Sequence, residues 1–340
     1  MVEPAAPGTG GGEAVADAPP KRRSPLLSVR GLGDAVVLVL LTGTGIGLPA
    51  GLLGGSFWAL ELFVHFRLQY LGAALVSGWL AAALGRWRVV VAADLLAVGL
   101  AASVAPAWFG APPPPPAEAP HLELLFSNVN TENREYGRLL ALVAREQPEL
   151  VALAEVDDGW SKALEAGLPG YPHRIVVPRQ DNFGIALFSK LPLEPEPLID
   201  LGAQGVPTIE AKLELAGERV TLFVTHLLPP ISEEDHEARG DALIDLGEVA
   251  AAAGPLVLVA GDLNCTSWAP EFDGLLAHGL IDSRAGRGVQ PSWPTGMPVL
   301  RLPLDHVLHG RRLVTVRREL GESIGSDHFP VLVELALLPP

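Results

Sequence analysis

Acidic, amide and imidazole side chains recur in the second part of the chain, each directly after an apolar run. Asn128 follows the first such run and Glu155 follows the second. Polar side chains at the ends of neighbouring strands meet at one edge of a sheet, where binding and catalytic sites tend to lie. We therefore predict one site formed by eight side chains. They are Asn128, Glu155, His226, Asp262, Asn264, Asp305, Asp327 and His328.

Three of these side chains suit a hard divalent cation. Asn128, Glu155 and Asp327 carry oxygen atoms, which are the ligands that magnesium prefers. The single cysteine, Cys265, excludes both a disulfide framework and a cysteine-rich zinc module. We predict a Mg²⁺ site, with Mn²⁺ as an alternative metal, held by these three residues.

The other five side chains suit the activation of water. His328 is a candidate general base because imidazole titrates near neutral pH, and Asp305 is placed to hold its tautomer. Asp262 and Asn264 are candidates to orient the attacking water, and His226 to donate to a phosphate oxygen. The set predicts metal-assisted hydrolysis of a phosphoester, in which positioning and charge neutralisation supply most of the rate.

Strand-like and helix-like segments alternate over residues 121–340, and several strands are joined by short turns. This pattern predicts an α/β domain with a mixed sheet. The predicted helices are 133–146, 158–167, 233–253 and 269–278. The predicted strands are 121–129, 149–155, 173–178, 183–189, 206–215, 218–226, 255–261, 304–309 and 327–336.

The first part of the chain has a different composition. Residues 1–33 are predicted to be a flexible basic arm, and residues 34–109 contain three apolar runs long enough to suggest transmembrane helices. The basic cluster at residues 21–30 and the basic loop at 86–88 are both expected inside, so three crossings place residue 110 outside the cytoplasm. The runs are 35–55, 68–85 and 89–109, and residues 61–67 are predicted to form an interfacial turn.

Residues 110–120 are proline-rich and predict a stiff spacer that holds the C-terminal domain away from a membrane surface. The chain is therefore expected to be a multi-pass protein of the cell membrane, in contact with membrane lipids, with residues 121–340 on the extracytoplasmic side.

The formal net charge of −15 lies entirely in residues 121–340, which hold 17 basic and 32 acidic side chains. This negative charge argues against electrostatic binding of nucleic acid over a broad surface. Five arginines remain as candidate phosphate contacts, and they suit a small phosphoester, nucleotide or lipid head group at least as well. They are Arg174, Arg179, Arg284, Arg287 and Arg301.

The ordered motifs of residues 121–340 resemble the endonuclease/exonuclease/phosphatase superfamily, a magnesium-dependent group that includes DNase I. The motifs are Asn128, Glu155, Gly184-Ile-Ala-Leu-Phe-Ser-Lys190, Thr225-His226, Gly261-Asp-Leu-Asn264, Leu304-Asp305-His306 and Ser326-Asp327-His328. The resemblance implies a four-layer α/β sandwich of two sheets flanked by helices. It also implies that Asn128, Glu155 and Asp327 surround the metal, and that Asp305 and His328 form an acid–base dyad. Three preceding helices resemble a membrane-anchored bacterial group of this superfamily.

The sequence leaves several alternatives open. The substrate can be a nucleic acid, a nucleotide or a phospholipid head group, and no protein partner can be inferred. The same fold without catalysis would be a membrane-tethered binding module. Trp268 and Trp293 either line a substrate cleft or cover a loop, and Asn130 either supports the site or only shapes a turn.

Overall fold

The computed structural model describes residues 1–2, 29–52 and 58–340. Most of the predicted basic arm, and the end of the first apolar run, lie outside these residues. Helix α1 begins at Val29, within the segment that the sequence assigned to the arm. The N-terminal helical region comprises α1 (Val29–Leu52), α2 (Trp58–Glu61), a 3-10 turn (Leu62–Phe66), α3 (Arg67–Ala83), α4 (Trp87–Val104) and α5 (Pro106–Phe109).

Residues 121–340 form the C-terminal domain, which is built on two six-stranded sheets. The first has the order β11-β12-β1-β2-β4-β3 and the second β5-β6-β7-β8-β10-β9. The pairs β1–β2 and β7–β8 are parallel and the other neighbouring pairs are antiparallel, which confirms the predicted mixed sheets. The strands are β1 (His121–Asn128), β2 (Leu150–Ala154), β3 (His173–Val177), β4 (Ile185–Ser189), β5 (Leu193–Pro195), β6 (Ile209–Leu215), β7 (Glu218–His226), β8 (Val257–Asp262), β9 (Ile281–Asp282), β10 (Asp305–His309), β11 (Leu313–Leu320) and β12 (Val331–Leu337).

Helices cover the outer face of each sheet. Asp157 caps the second helix of this domain by accepting a hydrogen bond from the Trp160 amide at 2.7 Å, and Ser232 caps the third. The helices are α6 (Tyr136–Glu146), α7 (Asp158–Gly167), α8 (Glu233–Ala253) and α9 (Phe272–Ala277).

The alternation of side chains along the strands produces four layers. Leu124 and Phe126 of β1 point into the core between the two sheets, whereas Leu125 points outward to the core beneath α6 and α7. A third core joins α8 and α9 to the outer face of the second sheet. The four-layer sandwich predicted from the resemblance is confirmed.

Three strands of this domain were not predicted. Strands β5 and β9 have three and two residues, too few to show a pattern. Strand β11 contains Arg317-Arg318-Glu319, and its register shifts between Thr315 and Arg317. A bulge of this kind breaks the alternation from which strands are read.

The N-terminal helical region contains antiparallel helices. Two helical stretches, Trp58–Ala83 and Trp87–Val104, are long and apolar enough to cross a membrane by length and composition, and Gly31–Gly47 is apolar but shorter. Arg86, in the turn between α3 and α4, donates two hydrogen bonds to Asp34 of α1, at 3.1 and 2.8 Å. The start of α1 and this turn therefore lie at the same end. Three membrane crossings remain a prediction.

The other end of the helical region packs against the C-terminal domain. Glu61 is fully buried, and its carboxylate lies 3.2 Å from Arg239 of α8 and 3.0 Å from His65. His65 Nδ1 is 3.0 Å from the Thr266 hydroxyl, and the Gly288 amide donates to the Ala107 carbonyl. Glu61 and His65 thus attach the segment 61–67, predicted to be an interfacial turn, to the C-terminal domain, while Phe63 stays exposed. The spacer does not keep the domain away from these helices.

Removing one partner of the Glu61–Arg239 pair should destabilise the protein. Arg239→Met leaves the Glu61 carboxylate buried without its guanidinium, and an unpaired buried charge typically costs about 3–5 kcal/mol. We expect the detergent-solubilised full-length protein to unfold at a lower temperature, measured by tryptophan fluorescence. The double variant Glu61→Leu/Arg239→Met should recover much of the loss because neither charge is left alone.

The matched control is Arg219→Met. The Arg219–Glu194 pair is exposed on both sides, and exposed pairs contribute about 0–1 kcal/mol. Equal unfolding temperatures for Arg219→Met and Arg239→Met would show that the contact between the two parts does not depend on the buried pair.

Candidate active site

The strand register of the second sheet brings three of the predicted residues side by side. The parallel pairing of β7 with β8 sets His226 opposite Asp262, and the antiparallel pairing of β8 with β10 sets Asp305 opposite Asp262. All three side chains are buried. The hydrogen bonding of three neighbouring strands therefore fixes this part of the site.

The first sheet contributes residues from the ends of β1 and β2. Asn128 pairs with Ala154, so the next residue, Glu155, emerges beside it. The Asn128 amide Nδ2 donates to Glu155 Oε1 at 2.9 Å and to Asp262 Oδ2 at 3.1 Å. One buried amide thus links carboxylates that the two sheets supply.

The backbone is held in uncommon conformations at this edge. Glu155 and Asn264 have φ angles of 61° and 49°, in the left-handed region that non-glycine residues seldom adopt. Gly184 permits a close approach behind Glu155, because a methyl group there would lie 1.9 Å from the Val156 carbonyl oxygen. Such strain tends to cluster at functional sites.

His328 and Asp305 form a buried pair, as the sequence predicted. His328 Nδ1 lies 2.9 Å from Asp305 Oδ2, and Nε2 lies 3.6 Å from Asp262 Oδ2. The Ser326 hydroxyl donates to the Asn128 carbonyl and accepts from the His328 amide, which fixes this loop against β1. The imidazole is therefore held between two carboxylates.

The electrostatics of the pair favour an imidazolium. Burial by itself would lower the pKa of His328, but Asp305 and Asp262 outweigh it and raise that pKa to about 10. Burial likewise works to raise the pKa of Asp305, yet the contact with His328 holds it below its usual range. For Asp262, burial is the largest influence and raises the pKa against the opposing effect of His328.

Asn264 and His226 contact each other beside Asp262. The Asn264 side-chain amide donates to the Leu227 carbonyl at 2.8 Å and lies 3.3 Å from His226 Nε2. His226 Nδ1 lies 3.0 Å from the Asn182 carbonyl oxygen, so Nδ1 carries the ring proton. Nε2 consequently faces the site, 3.7 Å from Asp262 Oδ2.

Asp327 lines the same cleft. Its carboxylate accepts from Asn130 Nδ2 at 2.7 Å and from Trp293 Nε1 at 3.0 Å. Trp293 lines this cleft, whereas Trp268 lies outside it, lines another cavity and donates to the His65 carbonyl. Asn130 supports the site through its contact with Asp327.

All eight predicted residues belong to one place in the fold. Asn128 and Asp305 lie beneath a cleft of about 910 Å³ and are hydrogen-bonded to residues of its floor. The six that line it are Glu155, His226, Asp262, Asn264, Asp327 and His328.

The donor set fits a divalent cation. The Glu155 carboxylate accepts hydrogen bonds from two neutral groups, the Asn128 side-chain amide and the Thr131 backbone amide. The Asp327 carboxylate also contacts neutral groups, which are the Asn130 amide, the Trp293 indole and the Ser326 hydroxyl. No lysine or arginine is among the described residues that line the cleft. Oxygen ligands with uncompensated negative charge are what Mg²⁺ or Mn²⁺ binds. A second arrangement, Asp262, Asp305 and His328, has ligand atoms within 4.8 Å of one another and could also hold a metal ion.

Sequence reasoning missed residues that the N-terminal helical region brings to the cleft. One wall is lined by Trp58, Leu62, His65 and Phe66. The next residue along the chain that lines the cleft is Glu155. No motif marks the four wall residues, because their role depends on how the two parts of the chain pack.

The sequence of this domain matches a known family. A model of the endonuclease/exonuclease/phosphatase family matches residues 125–328, which is more than half of the chain. The chain therefore belongs to the endonuclease/exonuclease/phosphatase family. No protein with a curated description matches it.

Solved structures share the fold at low sequence identity. A family protein from Beutenbergia cavernae is 19% identical with a TM-score of 0.56, covering 64% of this chain and 72% of its own. D. rerio TDP2 complexed with single-strand DNA product is 18% identical with a TM-score of 0.54, covering 63% and 98%. A mannosyl-6-phosphatase from Bacteroides thetaiotaomicron is 17% identical with a TM-score of 0.50, covering 64% and 100%. These likenesses support the four-layer fold.

Proposed function

We propose that this protein is a metal-dependent phosphoester hydrolase. The observation that carries the proposal is the convergence of Glu155, Asp327, Asp262 and the His328–Asp305 pair on one cleft. Membership of a family of nucleases and phosphatases supports it. Two structural relatives, one bound to a single-strand DNA product and one a mannosyl-6-phosphatase, are consistent with phosphoester chemistry.

In this proposal Glu155, Asp327 and Asn128 hold Mg²⁺ or Mn²⁺, which neutralises charge on the phosphate. Asp262 and Asn264 orient the attacking water. The two residues are held relative to each other, because the Asn264 backbone amide donates to Asp262 Oδ1 at 3.0 Å. Such preorganisation lowers the cost of reaching the transition state.

Both histidines would contact the substrate through Nε2. His328 Nε2 faces the cleft, while Nδ1 is held by Asp305, so proton transfer takes place at Nε2. The imidazolium form that the carboxylates favour suits a group that donates to a phosphate or leaving-group oxygen, and acting as a base requires prior loss of that proton. His226 also faces the cleft through Nε2, because Nδ1 contacts the Asn182 carbonyl oxygen.

Activity should depend on metal and on the floor of the cleft. Detergent-solubilised full-length protein should hydrolyse bis-p-nitrophenyl phosphate with Mg²⁺ or Mn²⁺, and EDTA should abolish turnover. His328→Gln and Asp262→Asn should each lower kcat about 100-fold or more, because proton transfer and water positioning contribute factors of that order.

His278→Gln is the matched control, since His278 is exposed at the end of α9. It should retain the activity of the unchanged protein. Full turnover in EDTA would contradict the metal assignment. Bound metal without any turnover would instead identify the alternative, a binding module with this fold.

We also propose that the helical region anchors the protein in the cell membrane, with the C-terminal domain outside the cytoplasm. Trp79, Leu95 and Val98 on α3 and α4 are exposed apolar side chains, as expected of helices that face lipid. Helix α3 has 17 residues, about 25 Å, which is close to the minimum for a crossing. The Asp34–Arg86 end would face the cytoplasm by the positive-inside rule.

Cysteine labelling tests this topology, because Cys265 is buried and gives little background. Glu322→Cys lies on the exposed surface of the C-terminal domain, and Arg88→Cys lies at the opposite end of the helical region. In intact spheroplasts a membrane-impermeant maleimide should modify Glu322→Cys, and should modify Arg88→Cys only after lysis. The reverse pattern would place the domain in the cytoplasm.

A further inference from the structure

The cleft above the proposed active site has a polar floor and apolar walls. Trp58, Leu62 and Phe66 of the N-terminal helical region form one wall. The C-terminal domain contributes Phe183, Leu228, Ile231, Leu302 and the flanking prolines of the loop after β7. A volume of about 910 Å³ is enough for a phosphate together with a sizeable apolar substituent.

The charges around the cleft disfavour a polyanionic substrate. Five carboxylates and no lysine or arginine are among its described lining residues, whereas a nucleic-acid backbone is held by a series of basic contacts. Four of the five arginines proposed from the sequence as phosphate contacts are engaged by other groups of the protein, and one of these groups, Asp181, is itself among the five carboxylates. Arg179 pairs with Asp181, Arg284 with Asp282, Arg287 donates to the Thr315 and Val316 carbonyls, and Arg301 donates to those of Pro294 and Thr295.

The apolar wall is continuous with a helix that has the character of a membrane segment. Trp58, Leu62 and Phe66 lie in the stretch Trp58–Ala83, which continues directly into α3. At the rim Ile231 is 76% exposed and is not covered by the protein. An amphiphile with its chain near α3 would therefore reach the cleft with its head group first.

We propose that the substrate is a lipid phosphoester, with its phosphate on the cleft floor and the first part of its chain against the wall formed by Trp58, Leu62 and Phe66. This inference rests on the proposed hydrolase function. In the reaction the oxygen of water bonds to phosphorus, the ester P–O bond breaks, and the leaving oxygen takes a proton. Burial of the methylene groups of the chain would supply the affinity that arginine contacts supply in nucleic-acid-binding sites.

A series of alkyl p-nitrophenyl phosphodiesters tests the proposal, because methyl and octyl esters release the same p-nitrophenolate. The full-length protein is assayed with Mg²⁺ at one fixed detergent concentration. We expect kcat/KM to be about tenfold or more higher for the octyl than for the methyl ester, since each buried methylene adds favourable transfer free energy.

Two matched variants separate chain binding from simple partitioning into micelles. Ile231→Ser removes an exposed apolar side chain at the rim of the cleft and should lower the octyl-to-methyl ratio of kcat/KM severalfold. Ile244→Ser removes another exposed isoleucine, on α8 and outside the cleft, and should leave that ratio unchanged. The same ratio in both variants would overturn the proposal.

The source of the chain is identified with micelles of a phosphate-free detergent that carry either phosphatidylglycerol or a polyprenyl phosphodiester, with the products identified by mass spectrometry. Turnover of either one supports the proposal and identifies the lipid class. Equal kcat/KM for the methyl and octyl esters, or a higher value for a single-stranded oligonucleotide, overturns it while leaving the hydrolase function intact. No p-nitrophenolate from any ester would instead contradict the hydrolase function itself.

Discussion

The structure depends on carboxylates from two separate sheets being brought together at one buried edge. Asn128 joins them, because its single amide group bonds both Glu155 and Asp262. Carboxylates that repel one another at close range are stable only if protons, imidazolium groups or cations balance them. His328 supplies part of this balance beside Asp305 and Asp262. The remaining negative charge at Glu155 and Asp327 is what a divalent cation would neutralise.

Much of this site could be predicted because strand ends are visible in a sequence. Asn128, Glu155 and His226 each follow an apolar run, and the two sheets place those ends at one edge. The order of the motifs indicated the family as well. By contrast β11 was missed, because a bulge and three charged residues hide its alternation. The contact of the helical region with the C-terminal domain was not predicted either, since nothing local in residues 61–67 shows that Glu61 is paired with Arg239.

That contact links the helices to the chemistry of the cleft. Arg239, held by Glu61, also donates to the Asn264 carbonyl at 2.8 Å, so the helical region supports the loop that carries a proposed water-orienting residue. The same segment supplies Trp58, Leu62 and Phe66 to the cleft wall. The apolar part of the chain thus has two roles in our account: it anchors the protein and completes the substrate site.

The most direct test of the central claim is Mn²⁺ binding to the full-length protein, followed by electron paramagnetic resonance of the free ion. We expect saturable binding that weakens tenfold or more in both Glu155→Gln and Asp327→Asn, and that is unchanged in the surface control Glu322→Gln. Binding of equal strength in all four proteins, or no binding at all, would contradict the claim that these carboxylates form a metal site.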